Sequence, residues 1–395
     1  MAQLLIDASH RLHQDHHDIC PASGKTASVG LIRIANINPM FALARALYQC
    51  PQPENVQIHL CCYHARQLLM LRSKLEQKLD RILNRNNHKS LFEHPEVSTA
   101  VQSSDKQHHI FIVLATAVAE VGRDHDYDWA IIEPSSMRSI IQLVGRIWRH
   151  RPEKVTDTVN VLILNNNIKA LQAGSNLGIG QPVFLHPGFE SKAHLLQSHN
   201  SKELITEAQL ANINAIPRII RPDNPQPGLR LADLEHGVMA DLFDPSAVNV
   251  VTAFWQPNTA MQATIHLQRV TPFRDSPIRE AEFVAVPGLD WADHNMGVRF
   301  RYREKAWDDP RGGDSMNSKI RYTEFVPTDA MVVPWLVTGF AEALDDLTVK
   351  VTFDQPKPNP YGPFVGGQSP IIQAAQFADC LGAKAPECTE ANFNP

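Results

Sequence analysis

No stretch of about 18 consecutive apolar residues occurs in this chain, so no transmembrane helix is expected. The N-terminus, MAQLLIDASHRLHQDHHD, lacks a basic segment leading into an apolar one, and so does not read as a secretory signal. Cysteine is scarce: Cys20, Cys50, Cys61, Cys62, Cys380 and Cys388 form no Cys-x-x-Cys pair, and Cys61 and Cys62 sit in an apolar run. A disulfide scaffold is thereby excluded, and thiols in a reducing, cytoplasmic compartment are expected. An excess of basic charge is also missing, with 37 Lys+Arg against 42 Asp+Glu. Nucleic-acid binding therefore has to come from local patches. What remains is an ordinary globular composition, 43% hydrophobic and 20% charged, over 395 residues, enough for two or three domains.

The first half alternates apolar strand-like runs with amphipathic helical ones. Strands are expected at Gly30–Ile37, Val56–Tyr63, His109–Thr116, Trp129–Glu133 and Val159–Leu164. Helices are expected at Pro39–Gln49, Ala65–Leu83 and Ser136–Arg149, with a polar insertion near Asn84–Gln107. Continuous apolar strands separated by helices predict an α/β domain built on a parallel sheet covered on both faces. The second half differs: 19 of the 28 prolines lie in residues 215–395. It reads as a mixed α+β domain, entered through a proline-rich stretch at Ile216–Gly228. An amphipathic helix is expected at Gly228–Phe243, and strands at Ala281–Val286 and Val298–Arg303.

The chemistry concentrates in Leu114–Arg151. In the expected helix, Ser135 is placed to cap the N-terminus, and Met137, Ile140, Ile141, Val144, Ile147 and Trp148 form an apolar stripe. Arg138, Gln142, Arg146 and Arg149 recur on the opposite face, and Gly145 leaves room beside them. A row of guanidiniums suits phosphate recognition, because each offers forked donors; a solvated basic face produces the same pattern. Before the helix comes Ala115-Thr116, then Glu120-Val121-Gly122-Arg123-Asp124, with Gly122 suited to a tight turn at the carboxyl end of the sheet.

The order of strand, Ala-Thr, Glu-Val-Gly-Arg-Asp, strand and Gln-x-x-Gly-Arg-x-x-Arg resembles helicase motifs V and VI of superfamily-two enzymes. The strand GLIRIANINP resembles motif IV, and Cys62-Tyr63-His64-Ala65-Arg66 a Tyr-His-Ser-Arg-type segment of CRISPR-associated helicases, with Ala65 replacing the small hydroxyl residue. VGRDHDYDWAIIEPSSMRSIIQLVGRIWRHR, ANINPMFALAR and RLADLEHGVMADLF resemble the later half of the helicase-nuclease family of type I-F CRISPR interference, the variant fused to an adaptation-nuclease-like domain; Trp148 stands where that family carries a basic residue.

The resemblance implies a RecA-like second helicase lobe over 30–185, preceded by a polar inter-lobe segment over 1–29 and followed by a linker over 186–228 and an accessory domain over 229–395. It implies catalytic roles for Gln142, Arg146 and Arg149, with both arginines at the γ-phosphate, and nucleotide binding at Gly122 and Asp124. Thr116, Asn36, His64 and Arg66 would touch DNA. ATP with Mg²⁺ would be shared with a first lobe, and the nuclease metals would lie outside this chain. Partners implied are single-stranded DNA, the CRISPR surveillance complex and the adaptation integrase. The rival reading is a non-catalytic remnant or a DNA- or protein-docking module, inactive alone for want of a phosphate-binding lobe.

Other signals are discounted. Ser23-Gly24-Lys25-Thr26 mimics a phosphate loop, but the position five before Gly24 is Ile19. His10, His13, His16, His17 and Asp18 are read as a polar segment rather than a metal site, and Asp126 and Asp128 as residues that shape the turn. The charged face of Ala65–Arg85 is also read as solvated, while Arg299, Arg301 and Arg303 on one face of Val298–Arg303 fit a DNA-backbone track or a solvated edge strand equally well.

Overall fold

The computed structural model describes residues 1–67, 69–86, 90–174, 181–244, 283–286, 298–302, 319–320 and 331–337. In chain order the elements are α1 (Ala2–Asp15), β1 (Asp18–Ile19), β2 (Thr26–Arg33), α2 (Ile37–Tyr48), β3 (Val56–Tyr63), α3 (Leu69–Ile82), α4 (Pro95–Gln102), β4 (His108–Ala115), β5 (Trp129–Ile132), α5 (Met137–Val144), β6 (Val161–Ile163), α6 (Ile168–Ala173), α7 (Ser201–Leu204), α8 (Glu207–Ala211), α9 (Ile216–Ile219), α10 (Leu231–Leu242), β7 (Phe283–Val286), β8 (Val298–Tyr302), β9 (Lys319–Ile320) and β10 (Val333–Pro334).

The main sheet runs β10-β3-β4-β2-β5-β6, with β1 antiparallel beside β2. All pairings along that path are parallel. Its strands are apolar on both sides because both faces are covered. Ala27, Val29, Leu31, Phe111, Val113 and Ala130 point to one face, against Leu75, Leu79 and Ile82 of α3 and Met137 and Ile140 of α5. Ile32, Ile58, Leu60, Ile110, Ile112 and Leu114 point to the other, against α1 and α2. The two sets alternate along each strand, as the two-residue period of a pleated strand requires. At Gly30 a side chain is excluded: a Cβ there would lie 2.2 Å from the Trp129 ring carried by the neighbouring strand. This is the α/β, RecA-like architecture expected.

Several boundaries move. Residues 1–29 are not a separate polar segment. α1 buries Leu5, Ile6, Ala8 and Leu12 in the second core, each large aliphatic side chain contributing ~1.5–3 kcal/mol. On the same helix the His13 ring nitrogens lie 2.7 Å from Ser28 Oγ and 3.0 Å from Thr26 Oγ1, so part of the histidine cluster fastens α1 to the sheet. β2 begins at Thr26, four residues before the expected Gly30, because those hydroxyls are satisfied inside. Lys25 of the phosphate-loop mimic donates to Val101 O at 3.0 Å and Ser104 O at 2.5 Å.

The polar insertion contains α4, and the stretch expected as a linker over 186–228 is packed chain. Buried Glu190 accepts from the backbone amides of Val183, Phe184 and Leu196 at 2.7–2.9 Å, which folds this stretch around one carboxylate. Nor is 229–395 wholly separate. Leu231, Ala232 and Leu234 of α10 enter the first core, and β10 pairs with the edge strand β3. Trp335 tilts against Phe111 with ring centroids 4.8 Å apart. β7, β8 and β9 form a small antiparallel sheet at two of the expected strand positions and one more. The side chains of Val298–Tyr302 lie outside the described residues, as do Cys380 and Cys388. Among the described residues no helix is long and apolar enough to cross a membrane.

Candidate functional site

Four parallel strands end side by side. Arg33 of β2 and Tyr63 of β3 both align with Ala115 of β4, and Ile132 of β5 aligns with Arg33. The loops leaving these ends share the carboxyl edge of the sheet, where open α/β sheets bind ligands. Asn36 follows β2, His64 and Arg66 follow β3, Thr116 follows β4, and α5 follows β5.

Thr116 is buried, and its amide donates to Tyr63 O at 3.1 Å. Its carbonyl accepts from Ala119 N at 3.1 Å, starting one tight helical turn. Glu120 then turns inward to Arg33. The Nε of Arg33 donates to Glu120 Oε1 at 2.9 Å, and its other nitrogens reach Glu133 O and Ser135 Oγ, both at 2.8 Å. Gly122 has φ +74°, a conformation glycine adopts without a steric penalty, and no atom lies within 4 Å of where its Cβ would be. Backbone shape, not packing, selects glycine there.

Beyond it the loop is tied to α3. Arg123 lies 2.5 Å from Glu76 and 3.0 Å from Asp80, and His125 Nε2 lies 2.8 Å from Asp80. This face of α3 is therefore engaged rather than simply solvated. Asp124 stays half exposed and pairs with Arg149 at 2.5 Å, with His150 Nε2 3.1 Å away. The Arg149 hydrogen bond, followed by that of His150, holds the Asp124 carboxyl below its usual range. Asp126 and Asp128 are buried beneath. Asp126 accepts from Arg151 at 2.6 Å, and Asp128 from both Arg151 and Arg85 at 2.8 Å and from Val29 N at 2.7 Å. Burial opposes the charge on Asp128, but Arg85 and Arg151 outweigh it and the carboxyl is depressed. The Asp-His-Asp-Tyr-Asp run is thus an ion-paired anchor.

α5 is shorter than expected. It starts one residue late, capped by Ser136, whose Oγ accepts from Ser139 N at 3.0 Å; Ser135, the expected cap, serves Arg33 instead. It stops at Val144, and Gly145 sits at its end without a positive φ. The chain then bends so that Tyr127 bridges to Ile147 beside β5, and Trp148 takes φ +53°. The expected single face of Arg138, Gln142, Arg146 and Arg149 is consequently split between helix and turn. Arg138 lies over the Phe189 ring, 5.3 Å from its centroid.

Arg146 is buried. Its Nη2 donates to Glu120 O at 2.9 Å, while its Nε and Nη1 have no hydrogen-bond partner. Gln142 Oε1 is likewise without one. Buried polar groups left unmade are costly, and Arg146 holds two such donors while Gln142 holds one such acceptor. Burial, and then the charge of Arg149, lower the Arg146 pKa.

Among the expected DNA contacts, His64 is buried with Nδ1 unpartnered, and burial, then Arg66 and Arg72, push its pKa down to about 4, so the ring is neutral. Arg66 is half-buried next to it. Asn36 donates through Nδ2 to His186 O at 2.7 Å. Sequence reasoning missed the roles of Arg33 and Glu120. An arginine inside an otherwise apolar strand is the signal that demanded a buried carboxylate in reply.

A parallel sheet with these loops at its carboxyl edge defines the class, a RecA-like α/β lobe. Residues 26–152 match the family model described as CRISPR-associated nuclease/helicase Cas3, C-terminal. The CRISPR-associated nuclease/helicase Cas3 subtype I-F/YPEST of Pectobacterium atrosepticum is 42% identical over 299 residues, 71% of this chain and 26% of that protein. Its counterpart from Pseudomonas aeruginosa is 41% identical over 304 residues, 75% and 27% of the two chains. Among solved structures, T. fusca Cas3 is 15% identical, with 42% of this chain and 16% of that chain covered and a TM-score of 0.27. By its sequence matches the chain is a relative of the C-terminal half of the subtype I-F/YPEST Cas3 nuclease/helicases, and it spans about a quarter of the length of the curated relatives it matches.

Proposed function

We propose that this chain supplies the second motor lobe and C-terminal region of an ATP-driven single-stranded-DNA translocase acting in CRISPR interference. The observation that carries the reading is Arg146, a buried guanidinium with two unpartnered nitrogens, next to the Asp124–Arg149 pair and Gly122 at the carboxyl edge of the sheet. ATP with Mg²⁺ would lie between this edge and a first lobe, on the same or another polypeptide. When bound, that pair supplies the phosphoryl group whose transfer drives motion. Arg146, Arg149 and Gln142 would place positive charge and an amide where charge builds during transfer, an effect worth ~10³–10⁵ in rate for an arginine finger. Asp124, released from Arg149, would accept a ribose hydroxyl, and Gly122 would let the loop turn beside it. Thr116, Asn36, His64 and Arg66 would line the strand path on the same edge. His64, being neutral, suits a hydrogen bond rather than an ion pair with a phosphate. The surveillance complex and the adaptation integrase are the partners this reading proposes.

The test is ATP hydrolysis stimulated by single-stranded DNA, measured on this chain with and without an added first lobe. The expected result is hydrolysis only on mixing, abolished by Arg149→Ala. No hydrolysis from folded protein in either condition would leave the docking-module reading in its place.

A further inference from the structure

The N-terminal end of α5 is held by a residue from far along the chain. Helix starts leave their first backbone N–H groups without intrahelical partners, and those of α5 need acceptors from elsewhere. Ser136 serves Ser139 N locally. Arg138 N donates at 3.0 Å to Glu235 Oε1, 97 residues away on α10. The Glu235 carboxylate is buried, and its other oxygen pairs with Arg218 of α9. His236 Nε2, lying 2.9 Å from Pro217 O, binds α10 to α9 again. Leu231 and Leu234 of α10 pack in the same core as Met137 and Ile140 of α5. A negative charge at a helix N-terminus is favoured by the peptide dipoles, and more so where water is excluded.

We infer that Glu235 is a positioning residue for the motor site: through the first turn of α5 it sets where Gln142 and, beyond Gly145, Arg146 and Arg149 stand. It acts through α5 and touches neither nucleotide nor DNA. It also makes the C-terminal region part of the arginine-bearing element, because α10 is the first helix of that region. Any displacement of α10 is felt at the start of α5, eight residues before Arg146. This inference rests on the reading of the carboxyl edge as a motor site.

Three variants test it: Glu235→Ala, Glu235→Gln, which keeps an acceptor for Arg138 N, and Leu47→Ala, which weakens the opposite core. Amide hydrogen exchange over residues 137–146 is measured on this chain alone. DNA-stimulated ATP hydrolysis is measured after adding the first lobe. Glu235→Ala is expected to speed exchange in that segment about tenfold or more. It is expected to lower kcat about 10- to 100-fold, because small misplacements of catalytic groups cost that much, while KM for ATP stays within about twofold. Glu235→Gln is expected to recover most of kcat, and Leu47→Ala to lower the melting temperature with little change in kcat. Unchanged exchange over 137–146 in Glu235→Ala, or a kcat loss in Leu47→Ala as large as that of Glu235→Ala, would overturn the inference. If wild-type chain and first lobe together hydrolyse nothing, the motor reading fails. The exchange result then still decides whether Glu235 holds α5.

Discussion

The guanidinium of Arg149 donates from Nε to Asp124 Oδ1 across 2.5 Å, so two residues proposed to meet a nucleotide meet each other. Both are about half exposed, at 46% and 58%. An exposed pair of this kind contributes only ~0–1 kcal/mol, because water and salt screen it. A phosphate can displace the carboxylate from Arg149 at little cost, and the freed carboxylate is then available to a hydroxyl.

Arg149→Ala is therefore expected to leave stability to urea within about 1 kcal/mol of wild type. It should also raise the Asp124 carboxyl toward its ordinary value, since the Arg149 hydrogen bond is the largest cause of its depression. Carboxyl chemical shifts followed from pH 2 to 6 read this directly. An unmoved Asp124 titration would show that His150 holds the carboxylate instead.

Much of the sheet is legible because β3, β4 and β5 are predominantly apolar runs. The errors have physical causes. β2 starts with Thr26 and Ser28, polar residues whose partners come from His13, His108 and Trp129, so composition hid the strand's true beginning. α1 looked polar because its histidines are numerous, yet Leu5, Ile6 and Leu12 form a buried stripe. The helical period of Met137–Trp148 continues past Gly145 in the sequence, although its last apolar members, Ile147 and Trp148, belong to a bend that returns beside Tyr127. At the site, motif order located the loops. It did not reveal Arg33 with Glu120, 87 residues apart, or Arg138 with Glu235, because such pairings exist only once the chain has folded.

His13 makes stability depend on pH in a defined direction. Burial, then the charges of His17, His108 and His10, push its pKa down to about 3, with Asp128 pulling weakly the other way. The unfolded chain titrates near 6.5 and takes up the proton first. Its contribution is therefore fully present above about pH 6.5 and is lost as pH falls toward 3, at up to ~1.4 kcal/mol per pH unit. His59, depressed to about 3, and His109, depressed to about 4, add slopes of the same sign. Urea unfolding at pH 7, 6 and 5 should show declining stability, and His13→Gln should flatten that decline without removing it. An identical slope in the variant would mean that His13 binds its proton equally well in the folded and unfolded chain, so that burial does not depress it.

Arg33 and Glu120 form an ion pair with side chains 0% and 2% exposed, at 2.6 Å. Each group is also hydrogen-bonded elsewhere: Ser139 Oγ donates to Glu120 Oε2 at 2.8 Å, and Arg33 reaches Glu133 O and Ser135 Oγ. Arg146 rests on the Glu120 carbonyl, so the pair also fixes the backbone that seats that arginine. Glu120→Leu leaves a buried guanidinium without its counter-charge and should cost ~3–5 kcal/mol; Arg33→Met leaves the carboxylate in the same position and should cost a similar amount. Their combination removes both charges, and replacing a whole buried pair by apolar groups is often close to neutral. The double variant should therefore be more stable than either single one, with a coupling of at least ~2 kcal/mol in a urea-denaturation cycle. Additive losses would show that the two charges are solvated independently. A stable double variant that folds but fails to hydrolyse ATP with the first lobe would separate the pair's two contributions. Stability would then depend on charge balance, and activity on the Glu120 backbone that carries Arg146.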